Sequence, residues 1–229
     1  MRRSVSNSKL IMDINRRSNI AEGYRNLRTN IQFSGWNQKL QVLAVTSTQA
    51  GEGKTTTISN LAVAYAQEGK KVILIDADLR HPSLQTVFNV SNRIGLSNLL
   101  ANQCTYGEIL HQSTIDNLSL VMAGPVPPNP TELLSSDKLR EIIEFWKEEY
   151  DVILMDTSPV LAVADGLIVA SVCDGVILVV HAGKVKREFI KKTKEKLELA
   201  KANILGVVLN NKKYSKSESH QHYYYGLSD

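Results

Sequence analysis

The stretch Val42-Leu-Ala-Val-Thr-Ser-Thr-Gln-Ala-Gly-Glu-Gly-Lys-Thr-Thr-Thr57 combines an apolar strand, a glycine-containing loop and the start of a helix. Gly51 and Gly53 allow the backbone to turn tightly, so that several N–H groups point into one cavity, and the helix adds the positive end of its dipole. Lys54 is then placed to reach the outer phosphates of a nucleotide, and the hydroxyl of Thr55 to ligate Mg²⁺. The stretch predicts a phosphate-binding loop in an α/β fold.

One position departs from the full phosphate-loop pattern, because Thr48 stands where a glycine is expected. The rest of the pattern follows a predicted strand and opens a predicted helix, which is the context that the motif requires. An ordinary surface turn is the alternative, and this context disfavours it. The residues predicted to bind the nucleotide are Gly51, Glu52, Gly53, Lys54, Thr55 and Thr56.

The composition is typical of one globular domain. The chain has 229 residues and a net charge of +4, which is too small to indicate nucleic acid as a partner. No apolar run approaches the roughly 18–20 residues that cross a bilayer, and no apolar signal core follows the basic start of the chain. Cys104 and Cys173 lack metal-ligand spacing, which favours reduced thiols in a cytoplasmic protein.

Apolar runs alternate with charged helical stretches along the chain. Strands are predicted at 41–46, 72–76, 118–123, 152–156, 175–180 and 205–209, and helices at 19–33, 55–68, 95–102, 136–150, 164–172 and 186–200. Continuous apolar runs are typical of strands buried on both faces, so we expect a mainly parallel central sheet with helices on both faces. Residues 1–18 are expected to form a flexible arm or clamp, 19–211 the domain, and 212–229 a flexible, tyrosine-rich tail.

Two of the predicted strands end in aspartate at the edge of the sheet where the phosphate loop lies. The first continues into Asp76-Ala-Asp78, and the second ends at Asp156. A carboxylate directly after an apolar strand is costly unless a cation or a strong donor lies nearby, and Mg²⁺ prefers oxygen ligands. Asp76 and Asp78 project the same way from an extended strand, so one can hold metal while the other accepts the proton of an acceptor hydroxyl.

Several segments together resemble the bacterial tyrosine kinases, P-loop enzymes of the deviant Walker type. Gly51-Glu-Gly-Lys-Thr-Thr56, Ile75-Asp-Ala-Asp-Leu-Arg80 and Ile153-Leu-Met-Asp-Thr-Ser-Pro159 are similar to the Walker A, A′ and B motifs of that family. The remaining similar segments are Glu22-Gly-Tyr-Arg-Asn-Leu-Arg28 (oligomerisation motif), Pro127-Pro-Asn-Pro-Thr-Glu-Leu-Leu134 (proline-rich loop) and Tyr223-Tyr-Tyr225 (tyrosine cluster).

The resemblance implies a protein-tyrosine kinase that uses ATP and Mg²⁺. The residues that it marks as catalytic are Lys54, Asp76 and Asp78, and the Mg²⁺ ligands that it implies are Thr55, Asp78 and Asp156. Lys54 would hold the β- and γ-phosphates, while Asp76 would activate the acceptor hydroxyl. Asn210, at the end of the last predicted strand, is placed like the adenine-contacting asparagine of related ATPases.

The resemblance also implies partners. The expected phosphoacceptors are Tyr223, Tyr224 and Tyr225. Glu22, Arg25 and Arg28 would join subunits into a ring, octameric in this family, in which each tail reaches a neighbour's site. Gram-positive members of the family act with a separate membrane-spanning activator in capsular or extracellular polysaccharide synthesis and export. We therefore expect a cytoplasmic protein that its activator recruits to the inner face of the membrane.

Two other nucleotide-dependent functions remain as alternatives. An ATPase switch of the chromosome-partitioning or division-site type shares the expected fold, but its signature lysine is replaced by Gln49, and a terminal tyrosine cluster is not typical of it. A GTPase usually carries Asn-Lys-x-Asp, and Asn211-Lys-Lys-Tyr214 lacks the aspartate.

Overall fold

A central sheet organises the computed structural model, which describes residues 10–35 and 39–212. The strands are β1 (Val42–Ser47), β2 (Val72–Asp76), β3 (Leu110–Gln112), β4 (Leu118–Val121), β5 (Val152–Asp156), β6 (Gly175–His181) and β7 (Ile204–Asn210). They form one seven-stranded sheet in the order β3-β4-β2-β5-β1-β6-β7. Only β3 pairs antiparallel among these strands, and the other pairs are parallel. The predicted mainly parallel α/β fold is confirmed.

Helices lie on both faces of this sheet. They are α1 (Ile11–Ile14), α2 (Asn19–Ser34), α3 (Lys54–Gln67), α4 (Leu84–Phe88), α5 (Leu96–Leu100), α6 (Tyr106–Ile109), α7 (Pro130–Ser135), α8 (Asp137–Lys147), α9 (Asp165–Ser171) and α10 (Arg187–Leu199). No helix in the described parts of the chain is long and apolar enough to span a bilayer.

Alternate residues of the central strands enter two separate cores. Leu74 of β2 packs in the cluster that contains α1, α2 and α3, whereas Ile73 and Ile75 pack in the opposite cluster with Trp146 of α8. Each of these side chains is almost completely buried. Burial on both faces explains why the strands are continuous apolar runs in the sequence. Because the central strands are parallel, their carboxyl ends lie at the same edge of the sheet.

The short elements were not predicted from the sequence. The antiparallel strand β3 has three residues, and α4, α6 and α7 have four to six. Such lengths are too short for a helical or strand periodicity to be visible, and their conformation depends on packing against the sheet. They occupy the connections between β2 and β5.

The N-terminal segment packs more closely than a flexible arm, from Leu10 onward. Leu10 and Met12 are buried against α3 in the core. The Met12 backbone N–H donates to Asn60 Oδ1 at 3.1 Å, and Gln67 Nε2 donates to the Met12 carbonyl at 3.0 Å. This part of the segment is therefore a clamp on α3. Its contacts are distant in sequence, so the local pattern could not predict them.

Helix α2 begins where it was predicted, but its buried face is rotated. The helical spacing of Ile20, Tyr24, Leu27 and Ile31 predicts a buried apolar stripe, but Ile20 is 62% exposed and the adjacent Ala21 is buried instead. Ser18 caps the helix by accepting a hydrogen bond from the Ala21 backbone N–H at 3.1 Å. Tyr24, Leu27 and Ile31 continue the stripe onto α3.

Candidate nucleotide and metal site

The phosphate loop connects β1 to α3 and adopts the backbone conformation that its glycines allow. Gly51 has φ +77° and Gly53 has φ +95°, both in the left-handed region that L side chains rarely adopt. Gly53 also precedes the first residue of α3, so the N–H groups of the first turn face the loop. Lys54 is the first residue of the helix and is only 8% exposed. The backbone thus forms a concave array of donors suited to phosphate oxygens.

Glu52 and Asn210 hold this loop in place rather than lining the cavity. One carboxylate oxygen of Glu52 accepts from the backbone N–H of Gln49, and the other from that of His181 at 3.1 Å. Asn210 Nδ2 donates to the Glu52 carbonyl at 2.9 Å, and a Cβ on Gly53 would overlap that amide. The side chains predicted to contact the nucleotide at these two positions are thus occupied within the fold.

Asp76 and Asp78 differ in their surroundings, although only Ala77 lies between them. Asp76 is completely buried, and its carboxylate accepts three backbone N–H groups, from Asp78 at 3.2 Å and from Ser83 and Leu84 at 3.0 Å. Asp78 lines the open cavity and accepts from Ser158 Oγ at 2.8 Å through Oδ1. Asp76 therefore shapes the loop after β2, while Asp78 is the carboxylate that a substrate can reach.

Asp156 and Thr55 form the centre of the predicted metal site. The Thr55 hydroxyl donates to Asp156 Oδ2 at 2.6 Å and also lies 2.8 Å from the Ser83 hydroxyl. Asp156 Oδ1 is buried without a hydrogen-bond partner among the described residues. An orphaned buried carboxylate oxygen beside a threonine hydroxyl fits Mg²⁺, which takes few protein ligands and completes its shell with water and phosphate oxygens.

Burial raises the pKa of the Asp76 and Asp156 carboxyls far above the ordinary aspartate range. The two residues are register partners on β2 and β5, so the charge of Asp76 raises the pKa of Asp156 further. Asp78 adds a smaller repulsion to both. The charge of Lys54 offsets part of this repulsion at Asp156, and a divalent ion would relieve more of it.

The site opens into a cavity of about 570 Å³. Its lining residues come from the phosphate loop, the loop after β2 and the loop after β5; they are Ala50, Gly51, Gly53, Lys54, Thr55, Thr56, Asp78, Arg80, His81, Ser83, Ser158, Pro159, Ala162 and Val163. In the described residues no group of three His, Cys, Asp or Glu side chains could hold a metal ion alone. The arrangement matches a metal that is shared with a bound phosphate.

The fold brings several further polar side chains to this site, and their roles were not predicted from the sequence. Ser83 contacts Thr55, Ser158 contacts Asp78, and Arg80 is joined to Asp165. Ser158 and Arg80 lie inside the quoted motifs, so the motifs were a usable signal for them. Nothing near Ser83 or Asp165 in the sequence marks them as neighbours of the phosphate loop.

The charged residues of α2 are engaged within the chain. Arg25 donates to Glu22 Oε2 at 2.7 Å and to the Arg16 carbonyl at 3.0 Å. Arg28 turns inward, donates to the Ala64 carbonyl near the end of α3 at 2.8 Å, and has only 17% of its side chain exposed. Glu22 and Arg25 remain accessible to a neighbour, whereas Arg28 stabilises the packing of α2 on α3. Tyr223, Tyr224 and Tyr225 lie outside the described residues.

Comparison with known proteins is consistent with this site. A family model described as an AAA domain matches residues 40–209. The tyrosine-protein kinase YwqD of Bacillus subtilis is 43% identical over 210 residues, covering 91% of this chain and 87% of that protein. The kinase domain of the Escherichia coli tyrosine kinase ETK has a TM-score of 0.89 at 32% identity, covering 95% of this chain and 85% of the other. Of the whole E. coli protein etk, the match covers only 26%.

A more distant solved structure shares the nucleotide fold. The septum site-determining protein MinD of Pyrococcus horikoshii, complexed with Mg-ADP, has a TM-score of 0.65 at 26% identity, covering 78% of this chain and 73% of the other. The likeness implies that a nucleotide and Mg²⁺ are used by this fold. The family model and the matches to the kinases show that the chain belongs to the AAA domain family and, within its P-loop fold, to the bacterial tyrosine kinases.

Proposed function

We propose that the protein is an ATP-dependent protein-tyrosine kinase that phosphorylates the tyrosine cluster Tyr223–225 of a second copy of itself. One observation carries this proposal: Lys54, Thr55 and Asp78 line a single open cavity at the carboxyl edge of the sheet, and Asp156 lies behind it, bonded to Thr55. That cavity contains a phosphate loop on one wall and an accessible carboxylate on the other. Phosphoryl transfer needs both groups, because it depends mainly on positioning and on charge stabilisation.

The geometry favours Asp78, rather than Asp76, for contact with the acceptor hydroxyl. Both oxygens of Asp76 are used by backbone N–H groups, whereas Asp78 Oδ2 has no hydrogen-bond partner among the described residues. In the transfer, the tyrosine oxygen forms a bond to the γ-phosphorus as the bond to the β,γ-bridging oxygen breaks, and ADP leaves. Asp78 accepts the phenolic proton, and Lys54 offsets the charge on the phosphate oxygens. Thr55 and Asp156 would hold Mg²⁺, which neutralises the phosphates.

The remaining functional expectations rest on the family. A separate membrane-spanning activator would bring the protein to the inner face of the membrane and raise its activity. Assembly through α2 into a ring would place each tail beside a neighbour's cavity, and phosphorylation would add negative charge that loosens the ring. Repeated assembly and release would regulate the synthesis and export of a capsular or extracellular polysaccharide.

The decisive experiment is mass spectrometry of the tail after incubation with ATP and Mg²⁺, using protein produced in a host without tyrosine kinases. We expect phosphate on residues 223–225 in the unaltered protein and none in Lys54→Met. Lys70→Met, at an exposed position remote from the cavity, is the matched control and should remain active. Persistent phosphotyrosine in Lys54→Met would contradict the assignment. ATP hydrolysis without phosphotyrosine would favour the ATPase switch instead.

A further inference from the structure

An ion pair between a partly exposed arginine and a buried aspartate joins three segments beside the cavity. Arg80, in the loop after β2, donates through Nε to Asp165 Oδ2 at 2.7 Å and through Nη2 to Asp165 Oδ1 at 3.3 Å. Asp165 begins α9 and is completely buried. Thr131, in α7, donates to Asp165 Oδ1 at 2.7 Å and accepts from Arg80 Nη2 at 2.9 Å. We call these three residues the Arg80 clasp.

The clasp fixes the guanidinium group in one orientation. A bidentate pair with a carboxylate uses two of its nitrogen atoms and fixes its plane. The third nitrogen, Nη1, has no hydrogen-bond partner among the described residues. Arg80 also lines the cavity and has 35% of its side chain exposed. Two N–H donors on a rigid support therefore remain available for an incoming group.

The position of Arg80 places it close to Asp78 in the wall of the cavity. In the loop after β2, Ser83 contacts Thr55 of the phosphate loop, whereas Arg80 is bound to α7 and α9. Arg80 lies two residues from Asp78, the carboxylate that faces the acceptor. His81 is next to it and also lines the cavity. Arg80 and His81 thus follow Asp78 in the same loop, and all three line the cavity.

We propose that Arg80, held by Asp165 and Thr131, is an acceptor-binding residue whose Nη1 binds an anionic oxygen close to the tyrosine being phosphorylated. This inference rests on the proposed kinase function. Two sources in the chain's own tail supply such an oxygen: a phosphate already placed on a neighbouring tyrosine, and the carboxylates of Glu218 and Asp229. Arginine suits both because its N–H groups match phosphate and carboxylate oxygens. Asp165 and Thr131 act as positioning residues.

The test measures binding of an acceptor peptide apart from turnover. Protein whose own tail tyrosines are replaced by Phe is loaded with Mg²⁺ and a non-hydrolysable ATP analogue. Three peptides of residues 213–229 are compared: unmodified, phosphorylated on the tyrosine at 224, and with its acidic groups converted to amides. Three variants are compared: Arg80→Lys, Asp165→Asn and the exposed control Arg93→Lys. Arg80→Lys keeps a positive charge beside Asp165 but removes the paired N–H donors of the guanidinium group.

We expect Arg80→Lys to weaken binding of the preferred anionic peptide about tenfold, the value of one charge-assisted hydrogen bond. Preference for the phosphorylated peptide identifies phosphate as the anion, and preference for the unmodified over the amidated peptide identifies carboxylate. Affinity for the Mg²⁺–nucleotide complex and the melting temperature should change little in Arg80→Lys. Asp165→Asn should weaken peptide binding similarly, and the double variant should not add the two losses, because the residues act as one unit.

Other outcomes overturn the inference. If Arg80→Lys weakens nucleotide binding and leaves peptide binding intact, Arg80 serves the phosphates of ATP. If all three peptides bind the unaltered protein and Arg80→Lys equally, or if the two single effects add, the clasp is only structural. If the peptide binds in an Arg80-dependent way but is never phosphorylated with ATP, the kinase proposal fails while the assignment of Arg80 as a peptide-binding residue stands.

Discussion

The Thr55 hydroxyl donates a 2.6 Å hydrogen bond to Asp156, a residue 101 positions away in the sequence. This contact joins the phosphate loop to the end of β5, because β1 and β5 are neighbouring parallel strands with Val45 and Asp156 in register. It leaves Asp156 Oδ1 buried and unpartnered. The free protein therefore carries an electrostatic cost at the point where a metal would bind.

Asp156→Asn should stabilise the protein in the absence of metal and nucleotide. Burial and the charge of Asp76 raise the pKa of Asp156 in the folded protein. The protonated carboxyl therefore contributes its full stability below the unfolded pKa of about 4. This contribution is lost as the pH rises through the raised pKa of the folded state. An amide carries no such charge. We expect a gain in unfolding free energy of about 1–3 kcal/mol at pH 8, with no gain at pH 4, measured by urea denaturation. A gain that is independent of pH would contradict this cause.

Ser83→Ala should weaken nucleotide binding only when Mg²⁺ is present. The Ser83 hydroxyl lies 2.8 Å from Thr55 Oγ1, while the Ser83 backbone, which supports Asp76, is unchanged by the substitution. We expect a loss of about three- to tenfold in affinity for a fluorescent ATP analogue with Mg²⁺, the value of one hydrogen bond, and no loss in EDTA. Ser171→Ala, on an exposed part of α9, is the control. Equal losses in both buffers would show that Ser83 does not act through the metal.

Gly53→Ala should abolish nucleotide binding and destabilise the fold by about 1–2 kcal/mol or more. Gly53 has φ +95°, and a Cβ there would overlap the Asn210 amide. Adding Asn210→Ala removes the overlap but not the backbone strain, so it should restore stability only in part. Gly23→Ala is the control, because no atom lies within 4 Å of its new Cβ and α2 favours alanine. Thermal unfolding measures the loss of stability, and nucleotide titration measures the loss of binding. If Asn210→Ala restored the stability completely, backbone strain at position 53 would be excluded as a cause.

Arg28→Ala and Arg25→Ala should separate folding from assembly. Arg28 binds the Ala64 carbonyl across two helices, so its loss should cost about 1–2 kcal/mol of unfolding free energy. Arg25 pairs with the exposed Glu22, and such surface pairs contribute about 0–1 kcal/mol. If α2 joins subunits, Arg25→Ala should reduce the oligomer measured by light scattering while the melting temperature is kept. An unchanged oligomer in Arg25→Ala would remove α2 as the interface.

The positions of the central strands could be predicted from the sequence, but their order in the sheet could not. Val72–Asp76 and Val152–Asp156 were predicted with their observed bounds, because strands buried on both faces need uninterrupted apolar residues whatever their neighbours are. The order of these strands in the sheet was not predictable from the same pattern. Parallel neighbours are joined by long crossovers, and an apolar run does not specify which other run lies beside it.

The candidate site shows the same division. The spacing of Gly51, Gly53 and Lys54 determined the phosphate loop, because the conformation and the donors belong to adjacent residues. The different environments of Asp76 and Asp78 were not visible, since burial and backbone donors come from the folded loop. The resemblance gave Asp76 the role that the geometry favours for Asp78.

The sequence alone therefore determined that this protein has a nucleotide-binding α/β fold and which motifs supply its phosphate and metal chemistry. Those properties follow from local backbone requirements and from residue chemistry. Only the tertiary structure decided that Glu52 and Asn210 brace the loop, that Arg28 packs α2 on α3, and that Asp165 holds Arg80 beside the cavity. Each of these contacts joins segments far apart in the chain, and a hydrogen bond depends on distances that exist only once those segments have packed.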